Sequence, residues 1–242
     1  MLMIACFPKS GSTYLMRLLC EITGFKRAIL VPYRGPNEQD LSKILLDEHR
    51  WRDGVCQQHL KATYYNLELL RKHNIRVVVL LRNIYDVVVS LCDHIDNGGP
   101  LMPTGYTPEQ FSQWPQERKW MFLIRVHIPW YFSFLMSWHE GQHQVPVHWL
   151  TYEELFEDQQ DTVRQLLGFW DVPRTSEEIA HGLEAVQSQF TRFNQGVAGR
   201  GSVLPVEHKR AIAELADLCD VAPELRRRVG LETHELQSSA DR

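Results

Sequence analysis

The chain has 242 residues, 44% apolar and 23% charged, which excludes disordered, collagen-like and coiled-coil classes. Its net charge is −4 and its pI about 6.3, which excludes nucleic-acid binding by bulk charge and leaves only a local basic site open. Cys6, Cys20, Cys56, Cys92 and Cys219 are odd in number and form no C-x-x-C pair, so they read as reduced thiols rather than a disulfide framework or zinc site.

Leu2 to Phe7 is a short apolar run ending at Pro8, the pattern of a buried strand. The turn Ser10-Gly11-Ser12 follows. From Thr13 a helix is predicted on the spacing of Leu15, Leu18, Leu19 and Ile22, stopping at Gly24. Leu41 to His49 predicts a helix, Val55 to Leu60 a strand and Leu67 to His73 a helix. Ile75 to Leu81 is the clearest strand, its β-branched run lacking alternation as in a parallel strand covered on both faces. Tyr85 to Leu91 turns helical, and 96–108 is loop. Residues 115–138 predict one long aromatic-rich helix, distorted at Pro129. Val145 to Leu150 reads as a strand, Glu153 to Leu167 and Glu177 to Gln187 as helices, 190–204 as a glycine loop, and Pro205 opens a last helical stretch. This alternation predicts an α/β fold: a single domain over 1–231 with a parallel sheet flanked by helices, then a polar tail over 232–242. The apolar stretch from Val126 to Trp138 is shorter than the ~20 residues of a membrane span. No secretion signal is visible, and a cytoplasmic location is expected.

Chemistry concentrates at Cys6-Phe-Pro-Lys-Ser-Gly-Ser-Thr-Tyr14. A strand, a glycine turn and a helix start gather free N–H groups and the positive helix end around one point. Lys9 adds a charge, and Ser12 and Thr13 add hydroxyl donors, so a phosphate or sulfate is the natural ligand. The plainer reading is a capped helix with a solvated lysine. A Walker A loop needs G-x-x-x-x-G-K-[ST], whereas Lys9 here precedes the glycine, which disfavours an ordinary ATPase or GTPase loop.

The order Pro-Lys-Ser-Gly-Ser-Thr-Tyr resembles the 5′-phosphosulfate loop of the sulfotransferases that use PAPS (3′-phosphoadenosine 5′-phosphosulfate), with the pattern P-K-S/A-G-T/S-T-W/Y. Arg82-Asn-Ile-Tyr-Asp-Val-Val-Val-Ser90 looks like the same family's 3′-phosphate element, R-N-P-x-D-x-x-x-S, with Ile84 replacing Pro. Arg82 at a strand end and Ser90 ~9 Å along the next helix would face one phosphate from two sides.

The family's closing loop, R-K-G-x-x-G, keeps its glycine spacing at Gly196 and Gly199, while Asn194 and Gln195 stand where Arg-Lys would be, so the charged contact is lost or moved to Arg192 or Arg200. The resemblance assigns Lys9, Ser10, Gly11, Ser12, Thr13, Arg82, Ser90, Asn194, Gln195, Gly196 and Arg200 to the nucleotide. It adds Tyr14 as the aromatic that stacks on adenine and Tyr152 of the Y-E-E segment. Core packing is the alternative for both tyrosines.

His59 in Gln57-Gln-His-Leu60 resembles the family's catalytic His in K-x-H, with Gln57 in place of Lys. A histidine suits proton abstraction from an acceptor hydroxyl, and Lys9 would steady the leaving phosphate oxygen. The resemblance therefore implies a P-loop-like sulfotransferase fold. It implies in-line sulfuryl transfer from PAPS to a hydroxyl, less readily an amine, with release of PAP. No metal is implied.

The aromatics of 99–138 offer an acceptor pocket for a small molecule or glycan, a homodimer face or plain core, and core suits most of them. The competing readings are a kinase-like phosphoryl transferase using ATP and Mg²⁺, and a noncatalytic PAP-binding protein.

Overall fold

A computed structural model describes residues 1–32, 38–48, 51–99, 102–189 and 198–231. The elements run β1 (Leu2–Cys6), α1 (Ser12–Thr23), β2 (Lys26–Ala28), α2 (Lys43–Asp47), β3 (Gly54–Gln58) and α3 (Tyr64–Lys72). They continue with β4 (Val77–Leu81), α4 (Ile84–Asp96), a 3-10 turn at Glu109–Gln113, α5 (Gln116–Val126) and α6 (Ile128–Gly141). The chain then forms β5 (Val147–Thr151), α7 (Tyr152–Glu157), α8 (Gln159–Phe169), α9 (Ser176–Gln189), a 3-10 turn at Arg200–Val203, α10 (Val206–Leu218) and α11 (Pro223–Arg228).

All five strands are parallel, in the order β2-β3-β1-β4-β5. From β1 the chain runs to the edge strand β2, returns inward to β3 beside β1, then crosses to β4 and β5 on the other side, so β1 sits at the switch point. Successive strand side chains point to opposite faces. Met3, Ala5, Phe7, Val77, Val79 and Leu81 therefore face one core, shared with α4, α6, α10 and α11. Leu2, Ile4, Cys6, Val78, Leu80 and Leu150 face the other, shared with α1, α8 and α9. Burial on both faces explains why β1 and β4 read as unbroken apolar runs.

The expected α/β sheet stands, with local corrections. The helix expected over 115–138 is two helices that meet at His127, because Pro129 has no N–H to continue the ladder and instead starts α6. The helix expected over 153–167 is also two, α7 and α8, because Asp158 leaves the helical region and caps α8 by accepting from the Asp161 N–H. The edge strand β2, carrying two charges in three residues, and the short α11 were not expected. The tail 232–242 lies outside the described residues.

His127 closes the α5–α6 junction while 1% exposed, with Nδ1 2.8 Å from Thr104 Oγ1 and Nε2 3.2 Å from Thr107 Oγ1. Burial pushes its pKa down to about 4. The unfolded chain takes up this proton below pH ~6.5 and the folded chain only near 4, so stability falls as pH drops through that window. At most about 3 kcal/mol follows from one such group. Urea unfolding of His127→Gln between pH 7 and pH 4 should show a shallower loss of stability than the parent. An identical slope would remove His127 from the account.

Candidate functional site

Parallel strands bring their carboxyl ends to one edge of the sheet. Cys6 is in register with Leu80, Ala5 with Gln58, and Leu81 with Thr151. The residues just beyond these ends, Lys9, His59, Arg82 and Tyr152, therefore come together although spread over about 140 residues of sequence.

The loop after β1 is held by its own backbone. Ser10 Oγ donates to the Phe7 carbonyl at 2.7 Å, and the Tyr131 hydroxyl to the Pro8 carbonyl at 3.4 Å. Lys9 and Gly11 take φ values of 68° and 80°. A positive φ at lysine is a strained conformation that the surroundings must enforce. Here Arg82 Nη1 donates to the Lys9 carbonyl at 3.1 Å. Gly11 has no room for a side chain, since a Cβ would lie 2.9 Å from Tyr152 Cδ2. It starts α1 without a side-chain cap, whereas Asn83, Thr151 and Asp158 cap α4, α7 and α8. The first N–H groups of α1 thus remain available to an anion. Ser12 is buried and Thr13 exposed beside them.

Burial lowers the Lys9 pKa from its usual value, Arg82 and Arg200 lower it further, and Asp93 opposes them. Its Nζ lies 3.4 Å from His94 Nδ1. Arg200 pairs with Asp93 on α4. Asp86 lies beside Arg82 and Asp93 pairs with Arg200, while Lys9 has no carboxylate within ion-pair distance among the described residues, so a bound anion would relieve the repulsion it feels.

His59 lies one residue past β3 rather than inside it. Its Nδ1 is 3.0 Å from the Cys6 carbonyl and 3.5 Å from Cys6 Sγ. A carbonyl can only accept, so Nδ1 carries the proton and Nε2 presents its lone pair. Gln39 Oε1 accepts the His59 backbone N–H at 2.8 Å, which fixes the strand end. Burial pushes the imidazole pKa down to about 4, the Cys6 carbonyl opposing and the Lys9 charge adding to the fall. His59 is therefore neutral at pH 7, with Nε2 as a base. Gln57, in the place of the family lysine, donates to Cys6 Sγ at 3.5 Å.

Arg82 is 6% exposed, 4.2 Å above the Tyr152 ring and 3.4 Å from Asp86 Oδ2. Ser90 shares a face of α4 with Asp86, Asp93 and His94 at helical spacing, and its hydroxyl makes no hydrogen bond among the described residues. Tyr152 is 2% exposed at the start of α7. Tyr14, on α1, is 4% exposed, with its ring against Phe156 and its hydroxyl donating to Gln159 Oε1 at 3.1 Å. The second core claims that face of α1. Arg192, Asn194, Gln195 and Gly196 lie outside the described residues. Gly199 and Arg200 are described. Among the 99–138 aromatics, Phe111, Trp130, Tyr131, Phe132, Phe134 and Trp138 are core.

Asp86 was matched to the 3′-phosphate element without a role of its own, and Asp93, His94 and Gln39 were not assigned to the site from sequence. Spacing on α4 carried a signal for the first three, but their partners lie far away in sequence. Ile84 has its own logic. Its N–H donates to the Val229 carbonyl at 2.9 Å and docks the C-terminal segment, a bond the family's proline could not make.

The family described as Sulfotransferase domain matches residues 1–199. Human sulfotransferase 2B1 is 24% identical over 216 residues, 86% of this chain and 56% of that protein. Chimpanzee sulfotransferase 6B1 is 24% identical over 196 residues, 78% of this chain and 60% of that protein. The chain thus spans somewhat more than half the length of these curated relatives. Among solved structures, a mouse sulfotransferase complexed with PAP has a TM-score of 0.68 at 15% identity, over 94% of this chain and 88% of that one. A retinol dehydratase in complex with androsterone and PAP reaches 0.65 at 15% identity, over 90% and 80%. At such identities these structures bear on the fold alone.

Proposed function

Because the chain belongs to the sulfotransferase family, we propose that it transfers the sulfuryl group of PAPS to an acceptor hydroxyl by direct in-line displacement, releasing PAP. One observation carries this reading. The Lys9 ammonium and the His59 imidazole stand past the ends of adjacent parallel strands, close enough for one charge to shift the other's pKa, with His59 held in the tautomer of a base. His59 Nε2 takes the acceptor proton as oxygen attacks sulfur. The S–O bond to the 5′-phosphate breaks on the opposite side. Lys9 and the first N–H groups of α1, with Ser10, Gly11, Ser12 and Thr13 around them, stabilise the negative charge gathered by the phosphate. Arg82, Ser90 and Arg200 serve the 3′-phosphate, together with Asn194, Gln195 and Gly196. Tyr14 and Tyr152 border the adenosine, Tyr14 as the aromatic that stacks on adenine. The acceptor is a small molecule or glycan.

Thermal unfolding with PAP, ADP and ATP–Mg²⁺ in parallel tests the reading. A ligand at 100 times its Kd stabilises by ~2.7 kcal/mol, or roughly 5–10 °C in Tm for a chain of this size. PAP should give that shift and ADP a smaller one. An equal shift from ATP–Mg²⁺ would favour a kinase-like transferase, and no shift at saturating nucleotide would overturn the assignment. PAP binding with no transfer from PAPS to any acceptor in a broad panel would leave a binding protein.

A further inference from the structure

The Asp86 carboxylate is 1% exposed and joins two separate parts of the chain, Arg82 and the 199–201 turn. Oδ2 lies 3.4 Å from Arg82 Nη2 and accepts the Gly199 N–H at 2.9 Å, while Oδ1 accepts the Gly201 N–H at 2.7 Å. Arg82 in turn holds the Lys9 carbonyl in the phosphate loop. Gly201 sits so close to α4 that a Cβ would lie 2.3 Å from Tyr85 Cβ and 2.9 Å from the Asp86 nitrogen. Arg200, between the two anchored glycines, thereby reaches Asp93 and the neighbourhood of Lys9.

We propose that Asp86 is a positioning residue that registers the 199–201 turn, and with it Arg200, against Arg82 and the phosphate loop, so that recognition of the nucleotide's 3′-phosphate depends on it. Asp86 touches no nucleotide. A carboxylate is required because two backbone donors and a guanidinium must be met by one acceptor-only group. Close packing against α4 admits backbone alone at Gly201, and a φ of 85° favours glycine at Gly199. This inference rests on the proposed PAP site and adds to it the device that sets the preference for a 3′-phosphate.

The test is titration of PAP and ADP against the parent and Asp86→Asn by calorimetry, with kcat and KM for PAPS measured alongside. The parent should prefer PAP. The variant should lose about ten- to hundredfold in PAP affinity, the scale of lost hydrogen bonds to a charged group, with ADP affinity within about threefold. Its KM for PAPS should rise more than its kcat falls. An equal loss for both nucleotides would mark Asp86 as merely structural and overturn the proposal, as would an unchanged ratio. A parent with no preference for PAP would instead sink the functional reading itself. If Asp86→Asn does not fold, hydrogen exchange of the parent decides. Peptides covering 198–204 should gain protection with PAP and not with ADP, and equal behaviour with both would overturn the proposal.

Discussion

Lys9→Ala should lower kcat for sulfuryl transfer by about 10²–10³-fold, the cost of removing one preorganised donor from developing negative charge. The loop should survive the change. Its shape depends on the Lys9 and Pro8 carbonyls, held by Arg82 and Tyr131, and on Ser10 bonded to Phe7, none of which involves the lysine side chain. Lys9 is also repelled by Arg82 and Arg200 while partly desolvated. The ligand-free variant should therefore unfold at a Tm no lower than the parent, although its rate collapses. Single-turnover kinetics with PAPS and a melt of the same sample measure both. A rate within threefold of the parent would take Lys9 out of the chemistry, and a large drop in Tm would show that its side chain holds the loop.

His59→Ala should cost about 10²–10⁴ in kcat, the usual contribution of a positioned base, with PAP affinity little changed. The parent's pH profile adds a second signature. With the pKa of His59 pushed down to about 4, Nε2 is unprotonated throughout the neutral range. The kcat/KM profile should therefore stay level from neutral pH downward and fall only as pH approaches 4, because protonation removes the lone pair. The kcat profile reports the loaded enzyme, in which an anion bound at Lys9 offsets the charge that lowers the His59 pKa. Its acid limb should lie at higher pH than that of kcat/KM. An acid limb at pH 6.5 or above in kcat/KM would show that His59 is not desolvated as described. Retention of the full rate in His59→Ala would remove it as the base.

The buried β1 and β4 were legible because strands covered on both faces carry no alternation, and the phosphate loop because only one glycine separates strand from helix. Lys26–Ala28 was not legible: it pairs only with β3 at the sheet edge and carries Lys26 and Arg27, so no apolar pattern marks it. The break at His127 was misplaced by two residues, since a proline disturbs the turn before itself. His59 and Arg82 were found through motif, yet what makes them work was hidden. The carbonyl that sets the His59 tautomer belongs to Cys6, 53 residues earlier, and the partners of Asp86 lie 113 and 115 residues away. The motif marked Asp86, but nothing in the sequence showed what its carboxylate holds.

Of these five strands, β1 is synthesised first, and it is the middle strand of the sheet. The Leu2–Cys6 segment is wholly apolar and needs β3 on one side and β4 on the other. About 75 residues separate Cys6 from Leu81. At synthesis rates of roughly 5–20 residues per second, that segment waits about 4–15 s without its second neighbour. During that interval at least one of its edges is unpaired, and parallel pairing across such separations is slow to form. Yield in a cell should therefore respond to holdase chaperones and to growth temperature more strongly than the stability of the finished fold would indicate.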